Sequence, residues 1–199
     1  MTIEDILRTM TVKAAANATR AFSKMAGQDI NVEVAHTHVL AFQKEIPDVD
    51  LEARVAGIYL PVSGDINGAA LLIFSEDAAY ACLDRLFKRE SPARHALSLI
   101  EKSALMEVGN ILCGSFLTVL SNTLKVKIVE NIPSLEMDMY GAIVEHLVIQ
   151  FSHKPEEVLL IEVKLVLSKT DLLGYVVIIF AFEEMKALIE KMGKPEPPD

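Results

Sequence analysis

The stretch Ser103-Ala-Leu-Met-Glu-Val-Gly-Asn110 lies within a segment of helical periodicity that runs from residue 96 to residue 124. Its polar residues Ser103, Glu107 and Asn110 are four and three positions apart, a spacing that places them on one face of a helix. We therefore predict an amphipathic helix that shows this polar face to solvent and buries the other face. The residues expected on or near the buried face are Leu97, Ile100, Ala104, Val108, Ile111, Leu112, Ser115 and Val119.

Two glycines lie within this predicted helix. Gly109 stands directly before Asn110, and Gly114 follows one turn after it. A glycine inside a helix costs about 1 kcal/mol relative to alanine, so its presence needs a separate reason. We expect the two glycines to let another molecule come close to the polar face.

The composition predicts a well-packed globular protein. Of the 199 residues, 51% are hydrophobic and 24% are charged, which is enough apolar sequence for one sizeable domain or two small ones. The net charge of −9 disfavours nucleic acids and anionic membranes as partners and suits a partner with a basic patch.

The length of the apolar segments and the spacing of the cysteines predict where the protein is located. The longest apolar run, residues 172–182, is about half the roughly 20 residues that a membrane helix needs. The first turns carry charged residues and do not resemble a secretory signal, so we expect a cytoplasmic protein without membrane insertion. Cys82 and Cys113 lie in apolar helical segments without CxxC spacing, which indicates buried thiols in a reducing compartment.

The predicted elements occur twice in the same order: a long helix, an extended segment, a strand hairpin and a shorter helix. The returning strands of the hairpins, 66–74 and 172–180, align at an offset of 106 residues, and the long helices align at an offset of 98. We predict helices over 3–25, 76–87, 96–124 and 182–192, extended segments or strands over 31–42, 54–62, 69–74, 126–129, 158–167 and 172–181, and a short piece of mixed polarity over 137–148.

This repetition predicts an α/β (α+β) fold with internal duplication. We expect one pseudo-twofold domain over residues 1–193, with repeats over about 1–90 and 94–193 and a disordered tail over 194–199. Its central sheet is predicted to be antiparallel, with the two long helices on one side. At the offset of 98, Ser103, Glu107 and Asn110 correspond to Asp5, Thr9 and Val12, so only the second repeat keeps the glutamate and the asparagine.

The polar face competes with several other candidate sites and with the possibility that it is an ordinary surface. A Glu-x-x-Asn pair on a helix is by itself more often a solvated surface than a site. His36 and His38 share a strand face, but two histidines without a third ligand make a poor metal site. His95, His146 and His153 are expected on the surface, and the sequence contains no glycine-rich phosphate loop and no GxSxG nucleophile motif.

The spacing Ser103-x-x-x-Glu107-x-x-Asn110, followed after 22 residues by Pro133, resembles the signature of the CheC/CheX/FliY family of chemotaxis phosphatases. The flanking segments 106–115 and 137–143 also resemble that family, and a weaker likeness extends through the first half of the chain. Length and duplication are most similar to its CheC members, and no segment resembles the additional flagellar-switch domain of FliY.

This resemblance implies hydrolysis of the aspartyl phosphate on a phosphorylated response regulator, CheY. Asn110 would orient the attacking water, and Glu107 would pair with the active-site lysine of the regulator. Ser103 would be a peripheral contact, and Pro133 would shape the turn after a strand. Mg²⁺ would be supplied by the regulator, and this chain would bind no cofactor. Because Thr9, Val12 and Ala35 replace the Glu, Asn and Pro of the first copy, we expect one active face.

The resemblance leaves two further questions open. CheC proteins can also bind the receptor deamidase CheD through an acidic residue on the short helix after the motif proline, and Asp138 is the candidate here. Asp138 could equally be the N-cap of that helix. The alternative to a phosphatase is a non-catalytic module that docks a response regulator or CheD through the same polar face.

Overall fold

The computed structural model describes residues 3–27, 29, 31–41, 50–89, 96–151, 158–167 and 172–181. Its helices are α1 (Ile3–Ala26), α2 (Glu76–Leu86), α3 (Leu99–Leu124) and α4 (Tyr140–Phe151). Its strands are β1 (Val32–Ala41), β2 (Arg54–Gly64), β3 (Gly68–Ser75), β4 (Ile128–Glu130), β5 (Ser134–Met139), β6 (Val158–Leu167) and β7 (Leu172–Ala181). The predicted helix 182–192, the tail 194–199, His95 and His153 lie outside the described residues.

The described strands form one antiparallel sheet in the order β1-β6-β7-β3-β2-β4, with β5 also paired to β2. The hairpins β2–β3 and β6–β7 meet in the middle, where Leu71 of β3 pairs with Val177 of β7. On the outer sides, β1 pairs with β6, and β4 and β5 pair with β2. The two halves of the sheet thus correspond, which confirms the predicted antiparallel sheet built from two similar repeats.

Each repeat carries the same irregularity in its outer strand. In β1, Val34 pairs with Leu165 and His36 with Lys164, so Ala35 is one extra residue, a β-bulge. In the second repeat, Glu130 pairs with Val62 and Ser134 with Tyr59, so residues 131–133 face only residues 60–61. Pro133 occupies the position of Ala35 at the offset of 98, and because it lacks an N–H it divides the outer strand into β4 and β5.

The two long helices cover the same side of the sheet, as predicted. They pack on each other, and the buried residues of both join one hydrophobic core with alternate residues of β2 and β3. Phe22 of α1, Leu112 and Phe116 of α3, and Ile58 and Leu72 of the sheet belong to this core. The shorter helix α4 lies on the other face of the sheet, where Ile143 contacts Gly57.

The first turn of α3 differs from its prediction. The helix begins at Leu99, and Ser98 forms a capping box in which its Oγ accepts from the Glu101 amide and its own amide donates to the Glu101 carboxylate. Leu99 and Ile100 are 82% and 70% exposed, so the prediction that Ile100 belongs to the buried face was wrong. The inward position is taken by Glu101, which is 1% exposed, because this residue has partners inside the fold.

The partners of Glu101 connect α2 and the residues that follow it to α3. Arg89 Nη1 lies 2.8 Å from Glu101 Oε1 and 3.8 Å from a carboxylate oxygen of Asp84, and its guanidinium lies 5.0 Å from the centre of the Phe87 ring. A buried carboxylate is tolerated only when it is paired and hydrogen-bonded. The pair therefore fixes which residues of the first turn of α3 face inward.

Gly109 is buried and faces the sheet, not a partner molecule. A Cβ at this position would lie 2.4 Å from Cγ2 of Ile58 on β2, closer than real Cβ contacts. The missing side chain lets the middle of α3 approach β2. The expectation that Gly109 opens the polar face to another molecule was therefore wrong, because this glycine serves the core.

Replacement of Gly109 by alanine should destabilise the protein, although alanine is the better helix former. Helix propensity alone predicts a gain of about 1 kcal/mol, whereas overpacking against Ile58 predicts a loss of about 1–3 kcal/mol. The free energy of unfolding from urea denaturation measures which effect dominates. Gly114→Ala is the matched control, because the three atoms nearest to a Cβ there all belong to the flexible end of the Glu130 side chain. In an Ile58→Ala background the penalty at residue 109 should disappear, and a Gly109→Ala protein more stable than wild type would contradict this packing.

Removal of the guanidinium in Arg89→Met should cost about 2–3 kcal/mol of unfolding free energy, because Glu101 keeps its charge and loses its cation. Arg54→Met is the control, since Arg54 is 62% exposed in its 3.5 Å pair with Glu76. Such exposed pairs contribute about 0–1 kcal/mol. Equal losses in the two variants, measured by thermal or urea unfolding, would show that the buried pair has no special role.

Candidate functional site

The polar face of α3 is exposed and rigidly supported. Ser103 and Glu107 are exposed and Asn110 is partly exposed, whereas Leu105, Val108 and Leu112 on the other side of the helix are buried. From Ser103 to Asn110 the helix rises about 10 Å. A carboxylate and a carboxamide thus stand nearly one turn apart on a helix whose opposite side is embedded in the core.

A further carboxylate lies beside this face and was not identified from the sequence. Gly114, one turn after Asn110, is covered by Glu130 of β4, whose carboxylate oxygens lie 2.9 and 3.0 Å from where a Gly114 Cβ would be. Withdrawal of this carboxylate from water raises the pKa of Glu130 above its usual range. The expectation that Gly114 makes room for a partner was wrong, since the room is filled by Glu130. The glycine itself was the only signal of this contact in the sequence.

Pro133 and Asp138 lie at the two ends of β5, about 17 Å apart at the rise of a strand. Pro133 is partly buried at the bulge that precedes β5. Asp138 is an exposed strand residue that pairs with Val55, and its Oδ1 accepts from the amide of Met139 at 2.7 Å. The expectation that Asp138 lies on the helix or caps it was wrong, because the pairing with β2 continues to Met139 and α4 begins only at Tyr140.

The corresponding face of α1 has different chemistry. Thr9 is exposed and Val12 is 62% exposed, at the positions of Glu107 and Asn110. Ala35, at the position of Pro133, is the bulge residue of β1. The structure therefore presents a carboxylate and a carboxamide together at these positions on the second long helix, and a hydroxyl and an isopropyl group on the first.

The cysteines are buried, as predicted, and provide no nucleophile. Cys82 and Cys113 are each at most 1% exposed. Burial raises the pKa of Cys82 to about 12. Burial, with a smaller contribution from the Glu130 carboxylate, also raises the pKa of Cys113. Because the thiolate is the reactive form, both thiols are inert in the folded protein at neutral pH.

Other candidate sites lie apart from the polar face. His36 and His38 belong to β1, where they pair with Lys164 and Glu162. Within the described residues, no group of three or more His, Cys, Asp and Glu side chains could hold a metal ion. A small cavity on the α4 side of the sheet is lined by Tyr59, Glu136 and His146 among others.

One described helix, α3, is long and apolar enough in composition to cross a membrane. More than half of its most apolar window is buried inside the protein, and the core helix of a soluble protein meets the same two criteria. Its length and composition are therefore weak evidence for membrane insertion.

Comparisons with known proteins confirm the resemblance to the CheC/CheX/FliY family. The model of the CheC-like family matches residues 100–129, which include Ser103, Glu107 and Asn110. The CheY-P phosphatase CheC of Bacillus subtilis (strain 168) is 28% identical over 165 residues, which cover 79% of this chain and 77% of that protein.

Solved structures share the fold. FliY of Thermotoga maritima superposes with a TM-score of 0.71 at 18% identity, covering 96% of each chain. The middle domain of FliM from H. pylori gives 0.64 at 13% identity, covering 96% of this chain and 99% of that one. A CheX–CheY–BeF3–Mg²⁺ complex from Borrelia burgdorferi gives 0.53 at 18% identity, covering 85% and 97%.

The two thiols should react with a disulfide reagent such as DTNB only when the protein unfolds. Native protein at pH 8 should show labelling at least about 100-fold slower than a free thiol, because both groups are buried and protonated. Ser103→Cys, a near-isosteric change at an exposed position of α3, supplies the control, and its added thiol should label at the rate of a free thiol. Rapid reaction of wild type in the absence of denaturant would contradict this burial.

Proposed function

We propose that this chain hydrolyses the aspartyl phosphate of a phosphorylated CheY-like response regulator, using the polar face of the second repeat. The observation that carries the proposal is the pair of exposed Glu107 and partly exposed Asn110 on a helix held firmly by the core. The name of the Bacillus subtilis relative, CheY-P phosphatase, supports the substrate class. The shared fold of the CheX–CheY–BeF3–Mg²⁺ complex supports a regulator as the partner.

Hydrolysis of an acyl phosphate requires little of the enzyme beyond the positioning of the attacking water. An acyl phosphate is already activated, so the main requirement is a water held in line with the bond from phosphorus to the aspartate oxygen. Water adds to the phosphorus, that bond breaks, and the products are the free aspartate and inorganic phosphate. Mg²⁺, held by the regulator, would neutralise the charge on the phosphoryl oxygens.

Asn110 is suited to hold the water. Its carboxamide oxygen can accept a hydrogen bond from the water while its NH₂ donates to a phosphoryl oxygen, and neither role depends on a protonation state. The group must enter a pocket of the regulator, and its partial exposure on a convex helix surface permits this. Gly109 contributes indirectly, since the close approach of α3 to β2 holds the helix under Asn110.

Glu107 is suited to anchor the regulator. A carboxylate nearly one turn before Asn110 can pair with the active-site lysine of a regulator and so set the position of the carboxamide along the helix. The surface of Ser103 would contact the regulator peripherally. On α1, Thr9 and Val12 offer neither a carboxylate nor a carboxamide, so we propose one active face.

The competing function is docking of the same regulator without catalysis. Both functions use the polar face, and they differ only in whether phosphate is released faster. Binding of CheD through Asp138 would need contact with an extended edge strand, because Asp138 lies on β5 and not on α4.

Asn110→Ala should lower the rate of phosphate release from a phosphorylated regulator by about 10²-fold or more, the usual cost of losing a positioning group. Glu107→Ala should chiefly weaken binding and raise KM. The measurement is the loss of the aspartyl phosphate over time, compared with the regulator alone. Val12→Ala is the control, because it changes the corresponding position of α1, and it should leave the rate unchanged.

Two results would contradict the proposal in different ways. If wild type does not accelerate phosphate release, the protein is not a phosphatase of that regulator. If Asn110→Ala retains the wild-type rate, the activity is real and the assignment of the water-holding residue is wrong.

A further inference from the structure

We propose that Leu99 and Ile100 form an apolar end of the same docking surface and are buried by the response regulator when Asn110 enters its phosphorylation pocket. This inference rests on the proposed function, since it takes the regulator as the partner. It extends the site beyond its polar residues and assigns affinity to a part of the helix that performs no chemistry.

The exposure of the two side chains is the first observation. Leu99 is 82% exposed and Ile100 is 70% exposed, and they are adjacent in the sequence. Single exposed apolar residues are ordinary on a protein surface, but contiguous ones mark contact sites more often. The first turn of a helix favours acidic residues, and exposure of two large aliphatic side chains there leaves apolar surface in contact with water, which is unfavourable.

The direction of the two side chains is the second observation. At about 100° per residue, Leu99 and Ile100 lie within about 60° of Ser103 around the helix axis, on either side of it. The buried stripe through Glu101, Leu105 and Leu112 lies on the opposite side. The apolar end is thus continuous with the polar face and not with the core.

The rigidity of this turn is the third observation. The capping box between Ser98 and Glu101 and the ion pair of Glu101 with Arg89 hold the first turn of α3 in place. With Glu101 fixed inward, Leu99 and Ile100 are fixed outward. Their exposure is therefore built into the fold, and a partner that binds them does not have to order them first.

The distances place the apolar end within reach of the same partner. Ile100 precedes Asn110 by ten residues, which is a rise of about 15 Å along the helix. A specific interface buries about 800 Å² on each protein, a patch roughly 30 Å across. A regulator whose pocket receives Asn110 along this face therefore reaches the apolar end in the same complex.

The polar residues and the apolar end of this docking surface contribute differently to binding. An exposed carboxylate such as Glu107 sets orientation but adds little affinity, because its charge is well solvated in the free protein. Aliphatic side chains at one end supply the apolar burial that the polar residues lack. We infer that the bound regulator presents an apolar patch beside its phosphorylation pocket.

The test measures binding and catalysis separately. The probe is the CheY-type regulator of the same organism, loaded with Mg²⁺ and beryllium fluoride for binding and phosphorylated for rates. Ile100→Ser should raise Kd and KM about tenfold, and the double variant Leu99→Ser/Ile100→Ser should raise them further, while kcat at saturation stays at the wild-type value. Ile100→Val should retain most of the affinity.

Val12→Ser is the matched control, since Val12 is also an exposed aliphatic residue on a long helix. It should leave Kd and KM unchanged, and all variants should unfold at the wild-type temperature because the changed side chains are exposed. Equal effects of Val12→Ser and Ile100→Ser on Kd and KM would overturn the proposal, because they would show that binding responds to any replacement of an exposed aliphatic residue by serine.

The remaining outcomes separate this inference from the proposed function. If wild type binds the loaded regulator but releases no phosphate, the phosphatase proposal fails, and a higher Kd for Ile100→Ser still supports the apolar end. If Ile100→Ser binds and hydrolyses as wild type does, the apolar end is overturned and the phosphatase stands. If wild type is a dimer that Ile100→Ser converts to a monomer, the patch binds a second copy and the proposal is overturned.

Discussion

The close contact between Gly109 of α3 and Ile58 of β2 is the constraint on which the candidate site depends. A helix can lie this near a strand only where no side chain stands between them, and here the nearest Ile58 atom occupies the space of the missing Cβ. With Gly109 directed into the core, the neighbouring Asn110 is directed outward by the geometry of the helix. The glycine predicted to make room for a partner thus packs against the sheet, and through this contact it determines where the carboxamide points.

A second constraint acts at the beginning of the same helix. The paired carboxylate of Glu101 occupies an inward position that the hydrophobic pattern assigns to an aliphatic residue. Because a buried charge must keep its partners, the helix cannot rotate to bury Ile100 without breaking the pair with Arg89. Charge pairing at one end and glycine packing in the middle therefore set the same rotation of α3, and both leave the polar face toward solvent.

The duplicated architecture shows what this fold requires and what it leaves free. Both repeats keep a one-residue bulge in the outer strand, with Ala35 in one and Pro133 in the other. The bulge is therefore part of the architecture, and proline is not needed to make it. The long helices also pack alike, yet one shows Thr9 and Val12 where the other shows Glu107 and Asn110. Since the fold accepts both pairs, the pair on α3 is not needed to build the fold.

Sequence alone was sufficient for the features that depend on local pattern. Apolar runs bounded by turn residues predicted β6 and β7 with the bounds that the structure has, and the internal offset predicted an antiparallel sheet made of two similar halves. Spacing also predicted which polar residues share a face. Only the tertiary structure decided why Gly109 and Gly114 are glycines, that β5 pairs with β2 through Asp138, and that Ile100 is exposed. Each of these features depends on a contact with a residue distant in the sequence. Gly109 meets Ile58, Gly114 meets Glu130 and Asp138 pairs with Val55. The exposure of Ile100 follows from the ion pair of Glu101 with Arg89. Periodicity and polarity report which residues share a face and which face is polar, but the individual residues that pack inward are determined by contacts with other elements.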